Sequence, residues 1–393
     1  MTDKKPGMIV LGSTGSVGEQ AIDVAKKFDV KVYALSAHKN AKRVEEQARL
    51  FGVKACAMSD ADAAHDLKER LKDTDIKVYC GTDGICEMIA ETDSDDGREQ
   101  VVENSILGEA GLKPTLATLR ARKKLALANK ESLVVGGDIV MQAAKESGNE
   151  ILPVDSEHCA IFQCLRSGKK SEIKNIILTA SGGPFFGYNK EQLKRATLDS
   201  ALAHPTWNMG AKITVDSATL MNKGFEVIEA VHLFGVKAEQ VRVVVHRESI
   251  VHSAIEFVDN SVIAQMSVPD MRHCVQYALT HPDRGEATTE ELDLFSVGNL
   301  TFKKPDPDTF VLLKKAFEAI KLGGAVPAVL NAANEEAVAA FLQKKIEFYD
   351  ICEIVCDVVD SMEFCKTART LDEILSSSKQ AREITKERIS RAR

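Results

Sequence analysis

The chain has 393 residues, of which 28 % are charged and 44 % hydrophobic, and carries a net charge of −7 at neutral pH. That composition is globular and long enough for two or three domains. The acidic balance argues against a general nucleic-acid or membrane-surface binder, so any anion site has to be a local basic pocket.

The N-terminal residues lack the apolar core of a signal peptide, and no apolar run approaches the ~18 residues of a membrane span. The nine cysteines contain no Cys-x-x-Cys and sit mostly in apolar runs, as reduced thiols do. A cytoplasmic protein with no membrane and no nucleic-acid partner is expected.

Residues 8–11 (MIVL) form a short apolar strand, followed by GSTGSVG at 12–18 and a helix from about 19 to 28. Glycines there permit a tight bend and close backbone approach, while a helix N-terminus supplies free N–H groups to a pyrophosphate. The second strand, 31–36, ends in Ala37-His38-Lys39-Asn40, where an NAD-binding unit places an acid. With no acid present, Lys39 and Asn40 suit a 2′-phosphate, so NADPH is favoured and His38, Lys39 and Asn40 become candidate cofactor contacts.

Strands and helices continue to alternate through 53–58, 62–73, 76–80, a helix from Asp83, 101–107, a helix opened by Pro114, and 125–129. Such alternation implies a doubly wound parallel sheet of Rossmann type. Asn129-Lys130-Glu131 lies just beyond a strand's carboxyl end, where open sheets of this kind bind ligands.

At 151–160 (ILPVDSEHCA) an apolar strand runs into Asp155 and then a helix that Ser156 can cap. Asp155 and Glu157 could aim oxygen ligands at one hard divalent cation. The plainer reading makes Asp155 a cap and Glu157 a first-turn charge. Further on, a strand at 173–180 enters Ser181-Gly182-Gly183-Pro184, a turn suited to a phosphate oxygen. The sole tryptophan, Trp207, sits in the polar Pro- and Gly-bounded loop 204–210 (HPTWNMG), which suggests a lid.

The stretch 217–230 (SATLMNKGFEVIEA) reads as one helix. Ser217, Asn222 and Lys223 offer hydroxyl, amide and ammonium donors for a phosphomonoester, and Glu226 is a third carboxylate for a metal site. Strands at 241–246, 250–257 and 262–268 imply a small sheet. After a polar segment near 288–308, helices at 310–322, 326–341, 349–364 and 371–391 close the chain.

The expected architecture is α/β: a Rossmann domain at 1–155, a central α+β catalytic domain with its lid loop at 156–285, a linker at 286–309 and a C-terminal helical bundle at 310–393.

GSTGSVG, LALANKESLV, LPVDSEH, SGGPF, HPTWNMG, DSATLMNKGFE at 216–226 and LNAANE at 330–335, in that order, closely resemble the 1-deoxy-D-xylulose 5-phosphate reductoisomerase family. The resemblance implies an NADPH-dependent enzyme of the non-mevalonate isoprenoid route, using Mg²⁺ or Mn²⁺ (Co²⁺ also admitted) and forming a homodimer. It would convert a sugar phosphate to 2-C-methyl-D-erythritol 4-phosphate. It implies Asp155, Glu157 and Glu226 as metal ligands and Lys130, Ser156, Ser181, His204, Ser217, Asn222 and Lys223 as substrate contacts, with Glu157 and Glu226 also touching substrate. The cofactor contacts would be Thr14, Gly15, Ser16, Val17, Lys39, Asn40, Asn129, Glu131 and Gly210. Lys130, His204 and Trp207 join the carboxylates as catalytic candidates. Ala180 replaces a frequent glycine, and Arg247 a frequent proline. Two rival readings are a semialdehyde dehydrogenase with Cys159 as its nucleophile and a non-catalytic NADPH sensor.

Overall fold

The computed structural model describes residues 5–94, 97–207 and 209–391, without the side chains of 363 and 364. By contacts the chain forms two units: one of residues 1–132, 140–159 and 270–290, the other of 133–139, 160–269 and 291–393.

The first unit holds a seven-stranded sheet of β1 (Gly7–Leu11), β2 (Val32–Ala37), β3 (Ala55–Met58), β4 (Lys77–Cys80), β5 (Gln100–Asn104), β6 (Lys124–Leu127) and β7 (Ile151–Pro153). Its order is β4-β3-β2-β1-β5-β6-β7, with every pairing parallel. β1 and β5 are buried along their whole length, as strands covered by helices on both faces must be. The winding reverses between β1 and β5, so the loops after these strands frame a crevice at their carboxyl ends. On one face Ile9, Leu11, Tyr33, Ala57 and Val102 pack with Ile85, Met88 and Ile89 of the helix Gly81–Glu91.

Residues 270–290 also belong to this unit. Their helix Arg272–Thr280 packs on Ser16–Lys27, and Lys27 Nζ donates to the Ala287 carbonyl at 2.6 Å.

The second unit contains a four-stranded sheet of β8 (Ile173–Ala180), β9 (Val241–Val245), β10 (Val251–Phe257) and β11 (Val262–Met266), in the order β11-β10-β8-β9. β8 and β9 are parallel; β10 is antiparallel to both its neighbours. Part of the 286–309 segment is tied to this sheet, through a bridge between Val245 and Lys303 and hydrogen bonds from Thr301 to the Glu248 carboxylate.

The helix Val326–Leu342 is buried on almost every side, among Phe348–Ser361 and Leu371–Arg391. Its Ala- and Val-rich sequence permits that enclosure. Met221–Phe234 and Val311–Leu322 approach so closely that a Cβ on Gly224 would lie 2.7 Å from that of Ala316.

The stretch 217–230 is not one helix. Ala211–Ala218 ends, Leu220 takes φ +60°, and Met221–Phe234 begins anew. Nothing in the sequence marks that corner, because leucine disfavours the left-handed region; the surrounding packing imposes it.

Candidate functional site

Gly12 has φ +82°, and a Cβ there would sit 2.8 Å from the Ser105 carbonyl oxygen; one on Gly18 would sit 2.2 Å from that of Gly12. Only glycine lets the turn after β1 fold this tightly over the loop after β5. The helix Ser16–Lys27 then starts with Gly15 at its N-cap and no side-chain cap. Gly15 and Ser16 are exposed and Thr14 and Val17 half-buried, so uncapped N–H groups face solvent where an anion can approach them.

His38 Nδ1 lies 2.8 Å from Ser59 Oγ, and the exposed Lys39 ammonium lies 3.5 Å from Asp60 Oδ2. The Asn40 side chain accepts from Arg43 N at 3.2 Å, capping the next helix. Asn129 is a structural knot: its amide donates to the carbonyls of Ile106 (2.6 Å) and Gly108 (2.9 Å) and to Glu131, and its oxygen accepts from Ser132 N (2.9 Å).

Lys130 Nζ lies 2.8 Å from Asp155 Oδ2, with both side chains almost enclosed. Burial pushes the Asp155 carboxyl up. The Lys130 ammonium and His158 more than offset that, and the group lies well below the ordinary carboxylate range. The helix begins at Ser156 itself, so Asp155 rather than Ser156 holds the cap position, its carbonyl accepting from Cys159 N at 2.8 Å. The Ser156 hydroxyl is thereby left to donate to Glu157 Oε2 at 2.6 Å. Cys159 is fully buried, which does not suit an attacking thiolate.

In the second unit, Gly182 and Gly183 turn the chain after β8 with φ of +76° and +64°. A Cβ on Gly183 would stand 2.6 Å from the Ser217 carbonyl, so its absence seats the Ser181 turn on the end of Ala211–Ala218. Ser181 Oγ is 2.9 Å from His204 Nε2, while His204 Nδ1 accepts from Trp207 N at 2.9 Å. That assigns the proton to Nε2, which donates to Ser181. Burial first, then the Arg247 guanidinium, push His204 down to about 4, so the ring is neutral near pH 7.

The Leu220 corner places Asn222 and Lys223 in the first turn of Met221–Phe234, and both side chains reach the buried Glu226 carboxylate. Nearby, Asp216 is paired with Lys212 at 2.8 Å and accepts from Asn334 at 2.7 Å, which ties the 330–335 motif to the same helix. Trp207 is half-buried, its ring 6.2 Å from that of His252; Asn208 of the same loop lies outside the described residues. Gly210 is the exposed N-cap of Ala211–Ala218.

Sequence reasoning gave Arg247 no role in the site; its Nη1 donates to the carbonyls of Ser181 and Gly183 at 3.0 and 2.6 Å. Its occupation of a frequent proline position was the one available signal.

Three family models match: 1-deoxy-D-xylulose 5-phosphate reductoisomerase over residues 8–137, and two C-terminal domains of that enzyme over 151–234 and 266–384. A reductoisomerase of that name from Acetivibrio thermocellus is 49 % identical over 96 % of this chain and 98 % of its own. The chain belongs to the 1-deoxy-D-xylulose 5-phosphate reductoisomerase family. A Clostridium botulinum relative is 48 % identical over 95 % of this chain and 97 % of its own. Among solved structures, the Zymomonas mobilis reductoisomerase in complex with NADPH aligns with TM-score 0.90 and 39 % identity, covering 98 % of this chain and 99 % of that one. A DOX-P reductoisomerase in complex with NADPH, fosmidomycin and magnesium aligns with TM-score 0.90 and 38 % identity over 98 % of each chain.

Proposed function

We propose that the chain converts 1-deoxy-D-xylulose 5-phosphate to 2-C-methyl-D-erythritol 4-phosphate with NADPH and a divalent cation, a step of the non-mevalonate isoprenoid route. Within the family reading, one observation carries the substrate assignment. The Ser181 turn rests on the end of the helix that holds Ser217, and beyond the Leu220 corner Asn222 and Lys223 open the next helix. Two hydroxyls, an amide, an ammonium and a helix N-terminus form the donor set of a phosphomonoester.

The glycine turn and the uncapped start of Ser16–Lys27 fit a pyrophosphate, and Lys39, with no acid after β2, favours NADPH over NADH. His38, Asn40, Asn129, Glu131 and Gly210 line the cofactor in this reading. In this reading Asp155, Glu157 and Glu226 would be the metal's ligands, three carboxylates of the kind that suits Mg²⁺ or Mn²⁺. When bound, the cation supplies Lewis-acid polarisation of the substrate's carbonyl and adjacent hydroxyl, and NADPH supplies a hydride.

The chain's own residues do the rest. Lys130 steadies the Asp155 carboxylate, and Lys223 and Asn222 orient Glu226. Ser156 orients Glu157. Neutral His204 directs its Nε2 proton to Ser181, so that the Ser181 hydroxyl can donate to the phosphate. The 204–210 loop closes over substrate, Trp207 excluding water.

Adding 1-deoxy-D-xylulose 5-phosphate, NADPH and Mg²⁺ should consume NADPH, and fosmidomycin should block it. Absence of substrate-dependent oxidation in chelator-cleared, Mg²⁺-restored enzyme would rule the reading out. Trp207 is the sole tryptophan, so its emission should change on adding fosmidomycin with metal and NADPH; an unchanged spectrum would remove it from the lid.

We assign a homodimer and a cytoplasmic location. β11 is an edge strand with Val262 and Ile263 exposed at 52 % and 39 %, the kind of edge a second copy covers. Among the described residues no helix is long and apolar enough to cross a membrane and no cysteine is in a disulfide, in keeping with that location. Light scattering tests the dimer.

A further inference from the structure

Arg247 follows β9 at the point where the chain turns back toward β10. Its Nη1 bridges two carbonyls, that of Ser181 at 3.0 Å and that of Gly183 at 2.6 Å, and its guanidinium lies 5.5 Å from the Phe186 ring centroid. Between those carbonyls lies Gly182, and both glycines occupy the left-handed region. Such a turn has little conformational preference of its own, because glycine populates many backbone states. Within the turn Gly183 N donates to Ser181 Oγ at 3.2 Å, Gly183 is seated against the Ser217 carbonyl, and the guanidinium bridge ties the two ends of the turn together from outside.

The charge of Arg247 has a second consequence. Among the described residues no carboxylate pairs with it, and its only hydrogen bonds go to main-chain oxygens. A half-buried cation held this way keeps its electrostatic capacity for another anion, and its Nε–H and Nη2–H remain available as donors. It also acts on His204, reinforcing the neutral ring whose Nε2 proton meets Ser181. Ser181 Oγ therefore receives hydrogen bonds from His204 and Gly183 N. Its own proton is left to point at a ligand.

We infer that Arg247 is a positioning and charge-recognition residue of the substrate's phosphate subsite. Its Nη1 locks the 181–183 turn in the shape that presents Ser181, and its charge favours a phosphomonoester dianion. The inference rests on Ser181, Ser217, Asn222 and Lys223 being that subsite, and it adds a cation the family pattern does not call for.

The test uses the full chain with Arg247→Met and Arg247→Lys. Steady-state kinetics give kcat and KM for 1-deoxy-D-xylulose 5-phosphate, and calorimetric titration gives Kd for inorganic phosphate. In Arg247→Met, KM and phosphate Kd should each rise about tenfold or more while kcat changes less than about threefold, the pattern of lost remote binding. Arg247→Lys keeps the charge without the two-carbonyl bridge and should recover most of the phosphate affinity. Unchanged KM and Kd in Arg247→Met would overturn the inference. So would an equal loss in both variants confined to kcat, which would make Arg247 a packing tie. Were the wild-type enzyme inactive on this substrate, the function reading would fall, and phosphate binding by wild type against Arg247→Met would still decide the role of Arg247.

Discussion

The two anion sites proposed for this protein are built in opposite ways. In the first unit the nucleotide site is made of backbone: glycines bring a turn against the loop after β5, and an uncapped helix start presents N–H groups. In the second unit the proposed phosphate site is made of side chains, Ser181, His204, Ser217, Asn222 and Lys223, carried by a turn, a loop and two helices. A backbone site is broken by adding an atom, because any Cβ occupies the space the ligand or the facing chain needs. A side-chain site is broken by removing one, because each donor comes from a separately positioned element.

That contrast orders the expected mutational effects. The largest belongs to the carboxylates: Glu226→Gln should lower kcat/KM by about a hundredfold or more and raise the Mg²⁺ concentration for half-maximal rate. A metal titration of both proteins, with activity surviving exhaustive chelation as the contrary outcome, decides it. Next comes Gly12→Ala, where the new Cβ would stand 2.8 Å from the Ser105 carbonyl at a φ of +82°. NADPH affinity should fall about tenfold or more by fluorescence titration, while phosphate affinity in the other unit stays unchanged.

Smaller still is Lys39→Asp, since that ammonium is 68 % exposed. It should narrow or reverse the NADPH:NADH ratio of kcat/KM, and an identical ratio would remove Lys39 from 2′-phosphate recognition.

The smallest effects separate the units by pH. Burial pushes the Glu103 carboxyl on β5 up to about 8, only partly opposed by Ser105. Folding thus favours its protonated form, and the stability associated with that form is lost as pH rises from its unfolded value through about 8. His204 has the opposite sign: held down at about 4, it favours the neutral ring, and stability is lost as pH falls from about 6.5 toward 4. Glu103→Gln should therefore raise Tm by about 2–4 °C or more at pH 8.5 and little at pH 5. His204→Gln should narrow the gap in Tm between pH 7 and pH 5. A Glu103→Gln gain equal at both pH values would show that the carboxyl is not protonated in the fold.

The legibility of the two sites follows from the same difference. The glycine turn, the strand before it and the helix after it lie within about twenty consecutive residues, and local periodicity with glycine spacing sufficed to read them. The seven-stranded sheet was legible for a similar reason, since regular alternation of apolar strands and amphipathic helices leaves few arrangements open. In the second unit the residue types of Ser217, Asn222, Lys223 and Glu226 were legible, but the corner that orients the last three was not. Leu220 adopts a left-handed conformation that no local preference asks for.

The sequence by itself determined the parallel sheet, the tight glycine turn after β1 and the residue types from which a site is proposed, because each depends on neighbours in the chain. Only the tertiary structure decided that Asp155 caps its helix instead of Ser156, that residues 270–290 return to the first unit, and that 217–230 breaks into two helices. It alone revealed that Arg247 grips the Ser181 turn from a strand end some 65 residues away. Those features depend on which surfaces meet once apolar faces are buried, and contacts between residues far apart in the chain leave no periodic trace in the sequence.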